Sequence, residues 1–274
     1  MGLRINTNMA SLAAQRQISK SSRENEGALK ALASGNKFDN PNESAAEFTI
    51  AEHLRGQITG VRTGVKNAEN AYSMIQVAEG GLNEQNNILI RLRELAIQAA
   101  SDTYSEVERE MLDVEHTQLV EEFDRIAQTT RFGGNKLLDG TEKTYQYQVG
   151  AYKGAENIIT YTSNTDTTAS GLGIDGLSVA DKSSAVDSIE MVDSALQEIG
   201  AARANFAAVQ SRLESVQNNG MLQVENLEAA RSRIADTDVA KATADMFKAQ
   251  ALQQYQIAVL AQANQMPMYA LKLL

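Results

Sequence analysis

The chain has 274 residues and no cysteine, which excludes disulfides, thiolate metal sites and cysteine nucleophiles. Hydrophobic residues make up 43%, but there are only 8 Tyr, 6 Phe and 2 Pro and no Trp, a composition typical of long packed helices rather than a bulky globular core. The net charge of −10 argues against a nucleic-acid partner, because phosphate binding needs a basic surface.

The charge is distributed unevenly. Residues 1–42 carry six basic and three acidic side chains and residues 231–274 carry five and three, so the two ends together are +5 and the interior is −15. This basic excess is too sparse for a membrane patch, and no run of about 18 uncharged apolar residues predicts a membrane span. The N-terminus has no hydrophobic signal core. We therefore expect no membrane partner and, if the chain is exported, a route other than general secretion.

The Asn40-Pro41 pair predicts the end of one helix and the start of the next. A seam of apolar residues at heptad spacing follows it. The pattern predicts a helix from about residue 44 to residue 100, roughly 85 Å long at about 1.5 Å per residue. The apolar residues of the seam recur at steps of three, four and seven: Leu54, Ile58, Val61, Val65, Ala68, Tyr72, Ile75, Leu82 and Leu89.

Three glycines recur every four residues on the side of this helix away from the seam: Gly56, Gly60 and Gly64. Each costs about 1 kcal/mol of helix propensity relative to alanine. Either a neighbouring backbone approaches closely here, or the glycines are exposed and tolerated.

A second helix of about 25 residues is predicted to start near Ser105, with acidic residues in its first turn. It carries Leu112, Leu119, Phe123 and Ile126. The run RFGGN at residues 131–135 predicts a turn that ends it.

Residues 141–183 have a different character. Residues 144–149 and part of residues 158–162 alternate between apolar and polar side chains, with Gly150 and Gly154 between them, which predicts a short β-hairpin. Residues 163–184 are rich in Thr, Ser, Asp and Gly and predict a loop.

A second heptad seam lies beyond this insertion, and we expect it to pack against the first. The alternative is that each seam is the apolar stripe of an ordinary helical bundle. Its members are Ala195, Ile199, Ala202, Phe206, Val209, Leu213 and Val216, and Leu227, Ala230 and Ile234 resume the frame.

The two ends are almost uncharged. Residues 1–15 contain only Arg4, and residues 249–274 contain only Lys272. Such uncharged ends are predicted to be buried only in contact with a partner and to be disordered until then. The alternative is that the two ends pair only with each other within one monomer. The residues predicted to make polymerisation contacts are Ile5, Leu12, Leu252, Val259, Leu260 and Leu271.

Motifs for catalysis, metal binding and nucleotide binding do not occur, so an enzyme is disfavoured and no cofactor or metal is expected. The two histidines, His53 and His116, are 63 residues apart and have no metal-site spacing. We predict both to be ordinary residues on helix surfaces.

Several short runs closely resemble the bacterial flagellin family, in the family's order, over about residues 1–140 and 185–274. They are GLRINTN at residues 2–8, LASG at 32–35, NP at 40–41, NILIRLRELAIQ at 87–98, ARSRI at 230–234 and LAQANQ at 260–265.

The resemblance implies a secreted subunit of the extracellular flagellar filament, exported unfolded through the flagellar type III apparatus and polymerised under a cap. It implies a mainly α fold of long antiparallel heptad-bearing helices formed by the N- and C-terminal regions, with one short β-hairpin and loop insertion. Residues 1–42 and 231–274 would form the inner coiled coil of the filament, residues 43–140 and 184–230 the helical rod, and residues 141–183 the insertion. Because large outer domains are absent, the filament should be thin and smooth.

The implied partners are other copies of the chain, an export chaperone, the filament cap and the hook-junction proteins. The family's arginine-leucine block and the acidic residue on its next helix also imply recognition of the monomer by an animal Toll-like receptor. These positions fall on Arg91, Leu95 and Glu115. A helix face shared by Arg91 and Leu95 is compatible with such a site, and the alternative is that Leu95 is core and the other two form a surface ion pair.

Two other functions remain open at this point. The chain could be a hook–filament junction protein, whose ends resemble those of flagellin less closely, and copy number would separate the two. It could also be a secreted coiled-coil effector or adhesin, which would not polymerise even when seeded.

Overall fold

The computed structural model describes residues 8–38, 44–141, 143–163 and 165–271. The fold is mainly α with a short insertion, as predicted. Its elements are α1 Met9–Ser34, α2 Ala45–Ala100, α3 Glu106–Thr129, β1 Arg131–Phe132, β2 Asn135–Lys136, β3 Lys143–Gln148, a single 3-10 turn Ala155–Asn157, β4 Ile158–Ser163, α4 Lys182–Ala235 and α5 Val239–Leu271.

The chain divides into two compact units. The terminal unit comprises Met1–Gly56 and Asn226–Leu274, and the central unit comprises Gln57–Glu225. The boundaries of the three-part division made from the sequence stay a prediction.

Local side chains explain where the helices begin and end. The Asn8 side chain accepts a hydrogen bond from the Ser11 backbone N–H at the start of α1, and Gly35, with φ of 68°, ends that helix in the left-handed conformation. At the start of α3, Ser105 and Glu108 form a reciprocal capping box. The predicted start of this helix is therefore confirmed.

The two predicted seams pack together in the central unit, as expected. Ile75 and Leu82 of α2 lie in one buried cluster with Phe206 and Leu213 of α4. Phe123 of α3 is fully buried in a second cluster with residues of α2 and α4. A fully buried side chain of this size contributes roughly 1.5–3 kcal/mol, so this unit has a substantial core of its own.

Strands β3 and β4 form the predicted antiparallel hairpin, with Tyr145 opposite Tyr161. The inner face of this hairpin packs on the central core, and its turn reaches α2. A Cβ atom added at Gly60 would lie 2.8 Å from the Ala151 Cβ, and one added at Gly64 would overlap the Val149 carbonyl. Close approach is therefore the correct explanation at these two glycines.

Gly56 differs, because no atom of the described residues lies within 4 Å of the position of an added Cβ atom. The RFGGN turn is also more regular than expected. Gly133 and Gly134 both have positive φ and connect β1 to β2 in a two-residue hairpin.

The loop before α4 is held to the bundle by the buried Gln85 and the half-buried Asp113. Gln85 donates from Nε2 to the Thr167 carbonyl at 2.9 Å and to the Phe123 carbonyl at 3.3 Å. Asp113 accepts from the Val179 backbone N–H at 2.6 Å. The loop is irregular in backbone conformation but is anchored to two helices.

Candidate assembly surface

Helices α1 and α5 of the terminal unit lie against each other and run antiparallel. Asn8 donates from Nδ2 to the Ala263 carbonyl at 2.8 Å, and Gln256 donates from Nε2 to the Ser21 hydroxyl at 2.9 Å. The two ends therefore do pair within one chain, which was the alternative arrangement.

The other end of the helix pair is joined through the backbone. Lys37 donates its N–H to the Ala235 carbonyl at 2.7 Å, and Thr237 donates to the Gly35 carbonyl at 2.9 Å. An isolated β-bridge links Asn36 to Asp236.

Small residues and one glutamine fill the contact between α1 and α5. The buried positions at seven-residue spacing are Ala14 and Ser21 on α1 and Ala249, Gln256 and Ala263 on α5. This seam was not predicted from the sequence, because alanine, serine and glutamine at heptad spacing give a weaker apolar signal than large hydrophobic residues. The spacing itself was visible in the sequence.

Large apolar side chains of α1 and α5 point outward instead. Phe247 is 61% exposed and Tyr255 is 69% exposed. Apolar surface that a monomer leaves exposed in this way indicates an interaction site. Among the described side chains of these two helices, the other exposed large apolar residues are Met9, Leu12, Leu29, Val239, Leu252, Ile257 and Val259.

The predicted polymerisation contacts can be placed in part. Leu12, Leu252 and Val259 are exposed, and Leu260 is half-buried. Ile5 and the side chain of Leu271 lie outside the described residues. The structure thus leaves three of the predicted residues accessible, and their role in polymerisation stays a prediction.

The second predicted site, on the central unit, is only partly at the surface. Arg91 on α2 donates from Nη2 to the Glu115 carboxylate on α3 at 2.7 Å and from Nε to the same oxygen at 2.9 Å. It also donates to Glu94 at 3.0 Å. The hydrogen bonds to Glu115 and Glu94 raise the pKa of Arg91. Arg91 and Glu115 therefore form an exposed, charge-assisted link between two helices.

Leu95 does not belong to this surface. It is 0% exposed, and its side chain points into the helical bundle. The prediction of one accessible surface made by Arg91, Leu95 and Glu115 is wrong for this residue, because helical spacing alone does not reveal what packs against a helix face.

The prediction for His116 is also wrong. It was predicted at a helix surface, but it is 0% exposed on α3, and neither ring nitrogen has a hydrogen-bond partner among the described residues. Burial lowers the pKa of His116, and nearby Asp113 partly opposes the shift. His53 is exposed, as predicted.

Within the described part of the chain, no group of three or more histidine, aspartate or glutamate side chains is arranged to hold a metal ion. The helices there also include none that is long and apolar enough to cross a membrane.

Comparison with known proteins agrees with the resemblance. The family model of the bacterial flagellin N-terminal helical region matches residues 5–143, and that of the flagellin C-terminal helical region matches residues 189–274. A flagellin of Halalkalibacterium halodurans is 37% identical over 270 residues, which cover 98% of this chain and 99% of the relative.

Solved structures show related folds. The crystal structure of Bacillus cereus flagellin aligns with a TM-score of 0.51 and 33% identity, covering 61% of this chain and 94% of the other. A structure described as a flagellar hook-associated protein from Vibrio parahaemolyticus aligns with a TM-score of 0.56 over 71% of this chain and 98% of the other, but at 13% identity, which supports a shared fold alone. The matches at both ends and the full-length relative show that the chain belongs to the bacterial flagellin family.

Proposed function

We infer that the chain is a structural subunit of the bacterial flagellar filament and that it polymerises with copies of itself. Membership of the flagellin family places its function in the flagellum and makes it a structural protein rather than an enzyme. The observation that carries the mechanism is the outward orientation of Phe247, Tyr255 and the other large apolar residues of α1 and α5.

The energetics favour assembly through these ends. Burial of apolar surface yields roughly 25 cal/mol per Å², and the terminal unit has already used its small residues for the contact between α1 and α5. The exposed large side chains of α1 and α5 gain this energy when other subunits cover them. The near-absence of charge in residues 249–274 removes the desolvation cost that charged residues would add.

The alternative function as a hook–filament junction protein has no better support. The hook-associated structure shares the fold at 13% identity, whereas the flagellin relative is 37% identical over 98% of the chain. Sequence similarity over nearly the full length favours the filament.

The test is one charge placed on the outward side of α5. Val259 is exposed, so Val259→Asp should leave the monomer folded. A carboxylate buried without a partner costs several kcal/mol, so the critical concentration for polymerisation should rise at least about 100-fold. Sedimentation of seeded filaments measures the critical concentration, and circular dichroism checks the helical content.

The matched control is Val259→Ala, which removes two methyl groups and adds no charge. It should polymerise at a critical concentration close to that of the parent chain. Normal polymerisation of Val259→Asp would show that this side of α5 is not buried between subunits.

We further propose that the chain is secreted through the flagellar export apparatus, with a chaperone covering its apolar ends before assembly. The filament cap and the hook-junction proteins would contact the same ends at the tip and base of the filament. The exposed apolar residues of α1 and α5 support such contacts, because a surface of this kind needs a cover at each stage.

We also propose recognition of the monomer by the flagellin-sensing Toll-like receptor, through Arg91 and Glu115 without Leu95. Both charged side chains are accessible and held in place by their mutual hydrogen bonds. The double variant Arg91→Ala with Glu115→Ala should weaken binding of the purified receptor ectodomain at least about tenfold.

The control is Arg125→Ala with Glu122→Ala, which removes another exposed ion pair, one within α3. It should leave receptor affinity unchanged. Equal affinity of the parent and the Arg91–Glu115 double variant, measured by surface plasmon resonance, would contradict the site.

A further inference from the structure

The buried side chains between α1 and α5 form layers at seven-residue spacing. Gln256 is 7% exposed, and its hydrogen bond to the fully buried Ser21 makes one layer. One heptad away from it in the antiparallel arrangement, Ala14 and Ala263 fall in a second layer. On the other side, Ala28 and Ala249, which both line the groove between the two helices, fall in a third.

Hydrophobicity does not select this face of α5. The exposed Phe247, Tyr255, Ile257 and Val259 are spread around the outer side of the helix at 100° per residue. Each would bury more apolar area against α1 than an alanine does, so hydrophobic burial by itself favours other faces.

The layers of alanine also do not determine the heptad register of α5 on α1. A slip of one heptad places alanine or serine of α1 opposite alanine of α5 in most layers, with little change in packing volume. The slip does separate Gln256 from Ser21. The buried Gln256 amide would then lose its hydrogen-bond acceptor, and its Oε1 already has no partner among the described residues.

We propose that the Ser21–Gln256 hydrogen bond is the specificity determinant of the terminal helix pair. It selects the face and heptad register of α5 on α1, and it thereby keeps the large apolar residues outside, where other subunits reach them. Buried polar pairs are known to specify register in coiled coils at a cost in stability. The consequence for assembly rests on the proposed filament function, but the selection of register is a property of the helix pair itself.

The backbone bridge between Asn36 and Asp236 also constrains the pair, at its opposite end. The two constraints can be separated, because changes at residues 21 and 256 leave residues 35–37 and 235–237 unaltered. If the bridge alone held the register, removing the side-chain hydrogen bond would have no effect.

Disulfide trapping reads the register directly, because the chain contains no cysteine of its own. The pair Ala28→Cys with Ala249→Cys reports the register of the structure. The pair Ala28→Cys with Ala242→Cys reports a slip of one heptad. Each pair is placed in three backgrounds: the parent chain, Gln256→Leu, and the exchange Ser21→Gln with Gln256→Ser.

Intrachain disulfides are quantified by mass spectrometry after mild oxidation, in both the seeded filaments and the soluble fraction. In the parent, the 28–249 disulfide should dominate. In Gln256→Leu, the ratio of the 28–242 to the 28–249 disulfide should rise about tenfold, as expected when one register loses its hydrogen-bond advantage. The exchanged pair restores the hydrogen bond and should restore the parent ratio, which a merely destabilising change would not do.

An unchanged ratio in Gln256→Leu in both fractions would overturn the proposal, as would a parent chain that forms no 28–249 disulfide in either fraction. Failure of the proposed filament function looks different. In that case the parent chain would form no filaments with any seed, whatever its pattern of disulfides.

Discussion

The helix contacts within the central and terminal units use the same seven-residue repeat, but the side chains at the buried positions differ in size. The central unit buries large residues such as Leu82, Phe206 and Leu213 between its helices. The contact between α1 and α5 in the terminal unit buries alanines beside the Ser21–Gln256 pair, while Phe247 and Tyr255 are exposed. A heptad repeat therefore establishes that helices pair, but side-chain size decides whether the pair is stable by itself or depends on further copies.

Burial energetics give this difference its meaning. A large apolar side chain gains roughly 1.5–3 kcal/mol when fully buried, and an alanine, with a single methyl group, gains less. The central unit therefore gains folding energy inside one chain. The terminal unit keeps most of its potential gain for contacts between chains.

Removing the terminal helices α1 and α5 should produce the largest effect. A chain without residues 1–40 and 235–274 should keep its central core and remain a soluble helical monomer, because the α2 and α4 seams do not depend on the ends. Polymerisation should be abolished. Electron microscopy of seeded samples and circular dichroism of the monomer, beside the full-length chain, measure the two outcomes. Filaments formed by the truncated chain would contradict the division of roles between the units.

Truncating one phenylalanine in each unit should sharpen the comparison. Phe206 is almost fully buried beside Tyr161, with ring centroids 5.5 Å apart, so Phe206→Ala should destabilise the central unit by about 3–5 kcal/mol. The exposed Phe247→Ala should change monomer stability by less than about 0.5 kcal/mol.

Urea unfolding of both monomers, together with their critical concentrations for polymerisation, gives the readout. Phe247→Ala should impair assembly despite its normal stability. Equal stability losses in the two variants would remove the distinction between an inward and an outward seam.

A smaller effect should follow from pH. His116 is neutral in the folded central unit because burial lowers its pKa, whereas in the unfolded chain its pKa is about 6.5. Below that pH the unfolded chain binds more protons, so His116 lowers the stability of the central unit as the pH falls through 6.5. Urea unfolding at pH 7.5 and pH 5.5 measures the change.

His116→Leu should reduce this loss of stability on acidification, and His53→Gln, at an exposed position, is the matched control. If the His116→Leu variant loses as much stability as the parent between the two pH values, other groups account for the pH dependence.

Several features were predictable from the sequence because their causes are local. The Ser105–Glu108 capping box, the Gly133-Gly134 turn and the alternation in β3 each depend on residues a few positions apart. The heptad steps from Ile58 to Leu89 predicted a buried helix face, and the motifs at both ends predicted the family.

Only the tertiary structure determined the features that depend on which distant segment packs against a helix face. Gly60 and Gly64 contact the hairpin turn, whereas Gly56 contacts none of the described segments, although the three glycines share one spacing. Leu95 and His116 are buried because helices cover the faces on which they lie. The Ser21–Gln256 hydrogen bond joins residues 235 positions apart. Periodicity determines which residues share a helix face, but only packing between distant segments determines what that face contacts.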